Sequence, residues 1–313
     1  MINPFPYSND NKRYQTFNYY LKQTFNSKVF RLPLNAGFSC PHIFSNKTGG
    51  CTFCSVAGSG DFACASWVQL KEQVKQQETI MRRKWPTGKA MAYFQAYTNT
   101  YAPLANLKEI YDPFFTDEID VVGVALGTRA DCLDDEIIDY FHQKSLIKPV
   151  YIEIGVQTIH EKTAKAINRQ HSLQQVEDAI NRLEKTNIHV IVHIINGFKQ
   201  ETPQMMLETA QWVSKQPIFG VKIHMLHILE DTVMGLVYKH KPHPMLTQDE
   251  YVDIVIKQLE VLPPEMVILR LTGDGKADDL LAPTWTLNKV SVLNQIDKQM
   301  ASLNTWQGKY ASR

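Results

Sequence analysis

Cys40-Pro-His-Ile-Phe-Ser-Asn-Lys-Thr-Gly-Gly-Cys51-Thr-Phe-Cys54 is the stretch from which the rest of the chain is read. It is polar and carries two glycines, so it forms a loop. It stands between the strand-like Lys28–Leu32 and a helix on which Leu70, Val74 and Met81 share a face. Cys51 and Cys54 can present both sulfurs to one metal centre, and Cys40 completes a face. Three thiolates on a four-iron cluster leave one iron without a protein ligand. That iron can chelate the amino and carboxylate groups of S-adenosylmethionine (SAM), and an electron from the reduced cluster then breaks the sulfonium C–S bond to give a 5′-deoxyadenosyl radical. Structural zinc is the competing chemistry, with Cys64 as a fourth thiolate. The long first spacing and the lack of two CxxC knuckles fit a zinc ribbon poorly.

The chain has 313 residues, 44% of them apolar and 21% charged, with a formal net charge of +1. That is enough for one large α/β core, and it indicates neither disorder nor a strongly polyanion-seeking protein. Any nucleic-acid contact must come from a local patch. The N-terminus MINPFPYSNDNKRYQTF shows no apolar core of a secretion signal and no transit pattern, and no apolar run approaches membrane-spanning length, so a cytoplasmic protein is expected. In a reducing compartment the five cysteines read as metal ligands, catalytic groups or core filler.

Strand candidates rich in Val, Ile, Tyr and Phe follow at about 30-residue intervals: 91–95, 120–126, 149–155, 188–194, 219–226 and 266–271. Between them, Ser172 with Gln175 and Thr247 with Glu250 form capping boxes, and Thr202-Pro203 marks another helix start. Repeated βαβ units imply parallel strands with right-handed crossovers. The pattern alone fits an open or partial barrel as well as a doubly wound sheet. In both, ligands gather at the C-terminal ends of the strands.

The cysteine loop resembles the radical SAM signature, with the aromatic Phe53 before the last cysteine. Ten residues between Cys40 and Cys51, where three are usual, resemble the branch containing the Elongator catalytic subunit and oxygen-independent coproporphyrinogen oxidase. The resemblance, close across 1–313 to one bacterial family, implies an α/β partial parallel (β/α)6 barrel over 28–275, an N-terminal extension 1–27 and a C-terminal helical extension 276–313. It implies a [4Fe-4S] cluster on Cys40, Cys51 and Cys54, with SAM bordered by Phe53. Glu153-Ile-Gly155-Val-Gln157 and Asn168-Arg169 are similar to a segment whose Gln and Arg contact the ribose and carboxylate of SAM in that branch, with Asn168-Arg169 placed in the next helix. Thr128-Arg129-Ala-Asp131 resembles a T-R-x-D segment; read as bare sequence, it is equally a turn with Asp131 capping the helix that starts near Asp134. Gln95 and Thr98 stand where the family has a glycine-rich turn that receives the SAM amino group.

His193, His224 and His227 fall near strand ends; each reads as a core histidine or as a group facing a polar substrate. The resemblance adds Arg270, Asp274 and Lys289 on the substrate side. Arg82-Arg83-Lys84 and Lys239-His240-Lys241 are basic clusters; a charge run usually marks a solvated face, and Trp85 and Tyr97 beside the first would also suit RNA backbone and bases. Bacterial relatives of the resembled family imply work on tRNA: remodelling the 5-carboxymethylaminomethyl group of wobble uridine 34 to 5-aminomethyl. The implied partners are an electron donor such as flavodoxin or ferredoxin and a later tRNA methyltransferase. The alternatives are a radical SAM enzyme of a small metabolite and a zinc-stabilised RNA-binding protein.

Overall fold

The structure, a computed structural model, describes residues 3–43, 49–55, 58, 63–273, 275 and 277–311. Asp274 lies outside the described residues. Seven parallel strands form one curled half-barrel sheet: β1 (Val29–Leu34), β2 (Lys89–Phe94), β3 (Val124–Thr128), β4 (Val150–Gln157), β5 (His189–Asn196), β6 (Gly220–Met225) and, beyond the two-residue β7 (Ile228–Leu229), β8 (Val267–Arg270). The strand-like segment at Lys28 thus adds an edge strand to the six expected, pairing Val29–Leu34 with Lys89–Phe94 in register. β3 starts four residues later than expected. Val122 still bonds Ala90 O, but Gly123 passes so close to Pro149 O that a Cβ there would lie 2.9 Å from it. β9 (Leu280–Ala282) pairs antiparallel with β7.

The outer face of the sheet carries Leu32, Leu34, Phe94, Leu126, Ile152, Ile154, Val192 and Ile223, all buried under the crossover helices. These are α2 (Leu70–Lys84), α3 (Leu104–Tyr111), α4 (Asp135–Ser145), α6 (Leu173–Leu183), α7 (Pro203–Val213) and α9 (Gln248–Val261), with the short α5 (Glu161–Ala166) ahead of α6. Both capping boxes form, at Ser172/Gln175 and Thr247/Glu250, and Thr202 caps α7. Each such cap satisfies otherwise orphaned helical N–H groups and contributes about 1 kcal/mol.

The inner face alternates with the outer one, as the period of two requires. Its lower layer, Val29, Met91, Ala125, Tyr151, Ile191 and Val267, is sealed at the strands' N-terminal end by α1 (Phe17–Phe25), whose Phe17 and Leu21 join the cluster. Phe17 meets Tyr151 edge-on at 5.7 Å, and Tyr20 meets Phe219 at 4.7 Å. The N-terminal segment therefore plugs the half barrel. Gln307 ties the two chain ends together, accepting from Gln15 N at 2.8 Å and donating to Pro263 O and Met266 O. α10 (Lys289–Ser302) buries Val292, Ile296 and Met300, and its Asp297 is paired with Lys12. Among the described residues no helix is long and apolar enough to cross a membrane.

Candidate active site

The cysteine loop sits at the C-terminal mouth of the strands and is latched from two sides. Thr52 N donates to Ile167 O at 3.0 Å, and Asn168 Nδ2 donates to Gly50 O at 2.6 Å. On the other side, Met234 N at the start of α8 (Val233–His240) donates to Thr52 O at 2.8 Å. The Phe53 ring packs 6.0 Å from Phe198, with Ile167, Leu226 and Met234 around the pair.

Cys40, Cys51 and Cys54 are half-buried, and none of them is in a disulfide. Cys54 N bonds back to Cys51 O at 3.1 Å, so the two cysteines flank one turn. Cys40 Sγ lies 3.0 Å from Thr98 Oγ1, and Cys51 Sγ lies 3.8 Å from His42 Nε2. Burial pushes the Cys51 thiol up to about 11, against the pull of Arg129. Among the described residues no three His, Cys, Asp or Glu side chains stand together as a metal cage, and the loop between Cys40 and Cys51 passes through 44–48, outside those residues. The donor chemistry nonetheless fits an iron–sulfur cluster. Three thiols share one mouth, and His42 Nδ1, Thr52 Oγ1 and Ser55 Oγ beside them are buried without hydrogen-bond partners. Cys64 is not a fourth member of this set. Its sulfur is engaged by Gln76 and Gln77 of α2, at 3.7 and 3.5 Å.

Tyr97, read from sequence with the basic cluster of α2, belongs here instead. Its ring covers Gly58, where a Cβ would lie 2.5 Å from Tyr97 Cδ1, and only a glycine at φ +58° leaves room for it. Trp85 is likewise not an open stacking platform: it is half-buried against the core, with Lys28 Nζ 4.8 Å and Lys84 Nζ 5.4 Å from its ring.

Asn168-Arg169 lies in the bend after α5 rather than in a helix. Asn168 and Gln170 both take left-handed φ values, +56° and +64°, which end the helix. Arg169 is fully buried, and four of its five N–H donors are engaged, by His171 O, Val156 O, Thr158 O and Glu161. Arg129 forks onto Asp131 at 2.9 and 2.8 Å and donates to Arg169 O at 2.9 Å. Asp131 is therefore the partner of Arg129 and does not cap α4. Asp134 does that, accepting from Ile137 N. Thr128 Oγ1 lies 2.5 Å from Thr100 Oγ1. Gln157, at φ +59°, folds its amide over Gly155, where a Cβ would lie 2.4 Å from Gln157 Nε2. Gln95 follows β2, half-buried, its N–H donating to Leu34 O.

Above the apolar lower layer the inner wall turns polar. Glu153 Oε2 accepts from Tyr93 Oη at 3.0 Å, pairs with Lys222 and lies 3.0 Å from His193 Nε2; Arg31 is 3.8 Å from Oε1. The rings of His193 and His224 are 5.3 Å apart. His227 is cradled by the backbone at Gly273 and Gly275, where added Cβ atoms would lie 2.3 and 2.8 Å from its ring. Arg270 and His224 are electrostatic neighbours of this set, and Lys289 neighbours Arg270 and His227. Sequence reading missed Lys222, Tyr93 and Arg31. Lys222 had a signal: it is a lone charge in the apolar run 219–226.

Burial holds His171 down to about 3 and His227 down to about 4, both below the unfolded value near 6.5. Between those values the unfolded chain binds more protons than the folded one, so stability rises with pH there and is lost on acidification. At pH 5 each imidazole should subtract about 2 kcal/mol. Urea midpoints of the apoprotein should therefore fall steeply from pH 6.5 to 5, and the His227→Gln variant should show a shallower fall.

With this geometry in view, the comparisons with known proteins decide the family. The profile described as the Radical SAM superfamily matches residues 48–213, and that of the Radical SAM C-terminal domain matches 218–302. The chain belongs to the radical SAM superfamily. It is 44% identical over 312 residues to YtqA of Bacillus subtilis (strain 168), covering 99% of this chain and 97% of that protein. It is 30% identical over 282 residues to YhcC of Escherichia coli (strain K12), covering 90% of each. The archaeal Elp3 of Methanocaldococcus infernus shares the fold, with a TM-score of 0.63 at 15% identity over 75% of this chain and 59% of that one.

The chain is thus a radical SAM enzyme, a class that carries a [4Fe-4S] cluster, uses SAM and needs an electron donor. Cys40, Cys51 and Cys54 are the residues that would hold the cluster, which when bound supplies the electron for reductive SAM cleavage. The latches at Thr52 and Gly50 fix the loop, and the apolar packing of Phe53 shields its C-terminal side.

Proposed function

We propose that this radical SAM enzyme modifies tRNA, remodelling the 5-carboxymethylaminomethyl side chain of wobble uridine 34 to 5-aminomethyl by hydrogen abstraction. The observation that carries this reading is the polar inner wall beside the cysteine loop, where His193, His224 and Arg270 gather around Glu153 and Lys222. Such a wall suits a charged, hydrogen-bonding side chain delivered into the half barrel. The Elongator-like cysteine spacing supports the choice of wobble uridine. Phe53, Gln95, Thr98, Thr128, Arg129, Gln157 and Arg169 are the SAM-side residues of this reading, with Arg129 and Arg169 acting through the loops they pin; Glu153 and His193, expected beside SAM, serve the substrate. Asp274 and Lys289 join Arg270 on the substrate side. Flavodoxin or ferredoxin supplies the electron, and a tRNA methyltransferase takes the product.

The test is anaerobic reconstitution with SAM and dithionite, reading 5′-deoxyadenosine with and without tRNA and the nucleosides of the digested tRNA. Conversion of the wobble nucleoside is expected. Cleavage of SAM with no tRNA binding would transfer the assignment to a small metabolite.

The RNA-facing surface of this reading is the basic end of α8. That helix starts at the cysteine loop, and a rise of about 1.5 Å per residue puts His240 about 9 Å along its axis from Met234. Arg82-Arg83-Lys84, in contrast, lead into the N-terminal end of β2, away from the mouth; each cluster has a paired member, Arg82 with Glu78 and Lys239 with Glu230, so position and not pairing separates them. The K239A/K241A double variant should weaken tRNA binding and lower the log–log salt slope by roughly 1.5, the equivalent of two phosphate contacts. An unchanged slope would place the RNA elsewhere.

A further inference from the structure

Glu153 lies at the centre of the inner wall with its side chain wholly buried. Burial alone would raise its pKa, but Lys222, His193 and Arg31 together hold the carboxyl well below the usual carboxylate range. It is therefore an acceptor while Lys222 is an ammonium, and burial brings that ammonium down to about 7 against the pull of Glu153. His193 is held below its ordinary value, first by burial and then by Lys222, against the opposing pull of Glu153, so it is a neutral imidazole. The groups facing it are Glu153 on β4, Lys222 and His224 on β6 and Arg270 on β8; Tyr93 on β2 and Arg31 on β1 face Glu153 behind it. A neutral imidazole has one N–H, and the 3.0 Å contact of Nε2 with an acceptor-only carboxylate assigns that hydrogen to Nε2. The lone pair is then on Nδ1. His224, one strand over, has a buried Nε2 with no hydrogen-bond partner.

We propose that Lys222 and Glu153 are positioning residues that lock His193 in its Nε2–H tautomer, so that the Nδ1 lone pair serves as the proton acceptor for a substrate amine or hydroxyl seated against His224. The balance is simple: the N–H bond of a substrate ammonium (or the O–H bond of a hydroxyl) breaks, its electron pair stays on the substrate heteroatom as a lone pair, the proton bonds to Nδ1, His193 becomes an imidazolium, and the Glu153 carboxylate offsets the new charge. The proton leaves from Nδ1 when product departs. Lys222 matters because it keeps Glu153 ionised. Without that ammonium the buried carboxyl gains a proton, becomes a donor to Nε2 and forces the hydrogen of His193 onto Nδ1.

The inference deepens the tRNA reading and rests on it for the substrate; its first readout uses no substrate. The tautomer of His193 is read from 15N-histidine spectra of the SAM-free protein, with His193→Asn assigning the signal. The wild type should show Nε2–H, and Lys222→Met should show Nδ1–H. Lys222→Met leaves a buried carboxyl without its counter-charge and is expected to melt lower, so Glu153→Gln/Lys222→Met, which removes both charges, serves as the folded control. In that double variant the single tautomer should be lost, and product formed per 5′-deoxyadenosine should fall at least ten-fold with a displaced pH profile. A wild-type Nδ1–H or imidazolium signal would overturn the proposal. So would a double variant that keeps both the tautomer and wild-type product yield, since the pair would then be structural only. A wild type with the expected tautomer but no action on tRNA would sink the substrate assignment and leave the tautomer standing.

Discussion

Cys51→Ala should leave a folded protein that carries background iron and sulfide after reconstitution and forms less than about a hundredth of the wild-type 5′-deoxyadenosine. Even loss of a group that only orients a metal ligand costs 10- to 100-fold, so loss of a ligand should cost more. The fold should survive because Cys51 is half-buried in a loop held through its backbone: Thr52 N to Ile167 O, Met234 N to Thr52 O, and the Asn168 side-chain amide to Gly50 O. None of these uses the sulfur. Burial keeps the thiol protonated when no metal is present, so alanine replaces a neutral group and introduces no unpaired charge. Cys64→Ala is the informative partner experiment, because the Cys64 sulfur contacts Gln76 and Gln77 and should be dispensable for iron. Iron retained in Cys51→Ala, or lost in Cys64→Ala, would show that the ligand set is misassigned. One zinc per chain dependent on all four cysteines would do the same.

Much of this site was legible because its signals are local. The strand runs and the two capping boxes each depend on residues within a few positions of one another, and these form. Face was legible too: the period of two in the fourth strand puts Tyr151, Glu153, Gly155 and Gln157 on one side. Partners were not. Glu153 on β4 is level with Ile191 and Gly220, and Lys222 is level with His193 and Gly155, so the pair meets on a diagonal across β5 that only the registers of three strands define. Likewise, the N-terminal segment read as an extension because the face carrying Phe17 and Leu21 gives no hint that it closes a barrel. The bend at Asn168 was misread as helix because the rest of the stretch is helix-compatible, and two non-glycine left-handed residues leave no composition signal. Asp131 pairs with Arg129 instead of capping a helix, and Arg169 has a structural role beside the SAM contact its motif suggests. Both are held in place by backbone carbonyls or by each other's neighbours, a kind of contact that spacing does not encode.

That reassignment makes Arg169 the residue whose loss should be felt most in the folded state. Its guanidinium joins three carbonyls, Val156 O and Thr158 O at the end of β4 and His171 O beyond the bend, at 2.8, 2.6 and 2.9 Å. Its own carbonyl accepts from Arg129, which holds Asp131. Arg169→Met would strand Thr158 O and His171 O, while Val156 O keeps its bond from Thr158 N; at about 1–3 kcal/mol per stranded carbonyl the total is roughly 2–4 kcal/mol after partial relaxation. Arg169→Lys should recover little of this, because one ammonium cannot span the fork. The damage should also reach the cysteine loop, since Asn168 and Ile167 beside Arg169 are the anchors of Gly50 and Thr52. Urea unfolding of the apoprotein gives the energy, and iron incorporation gives the propagated effect. The two should fall together in Arg169→Met, whereas Cys51→Ala loses iron alone. If instead Arg169→Met kept its urea midpoint and lost only SAM affinity, the guanidinium would be a cofactor contact, and the carbonyl cradle would be incidental.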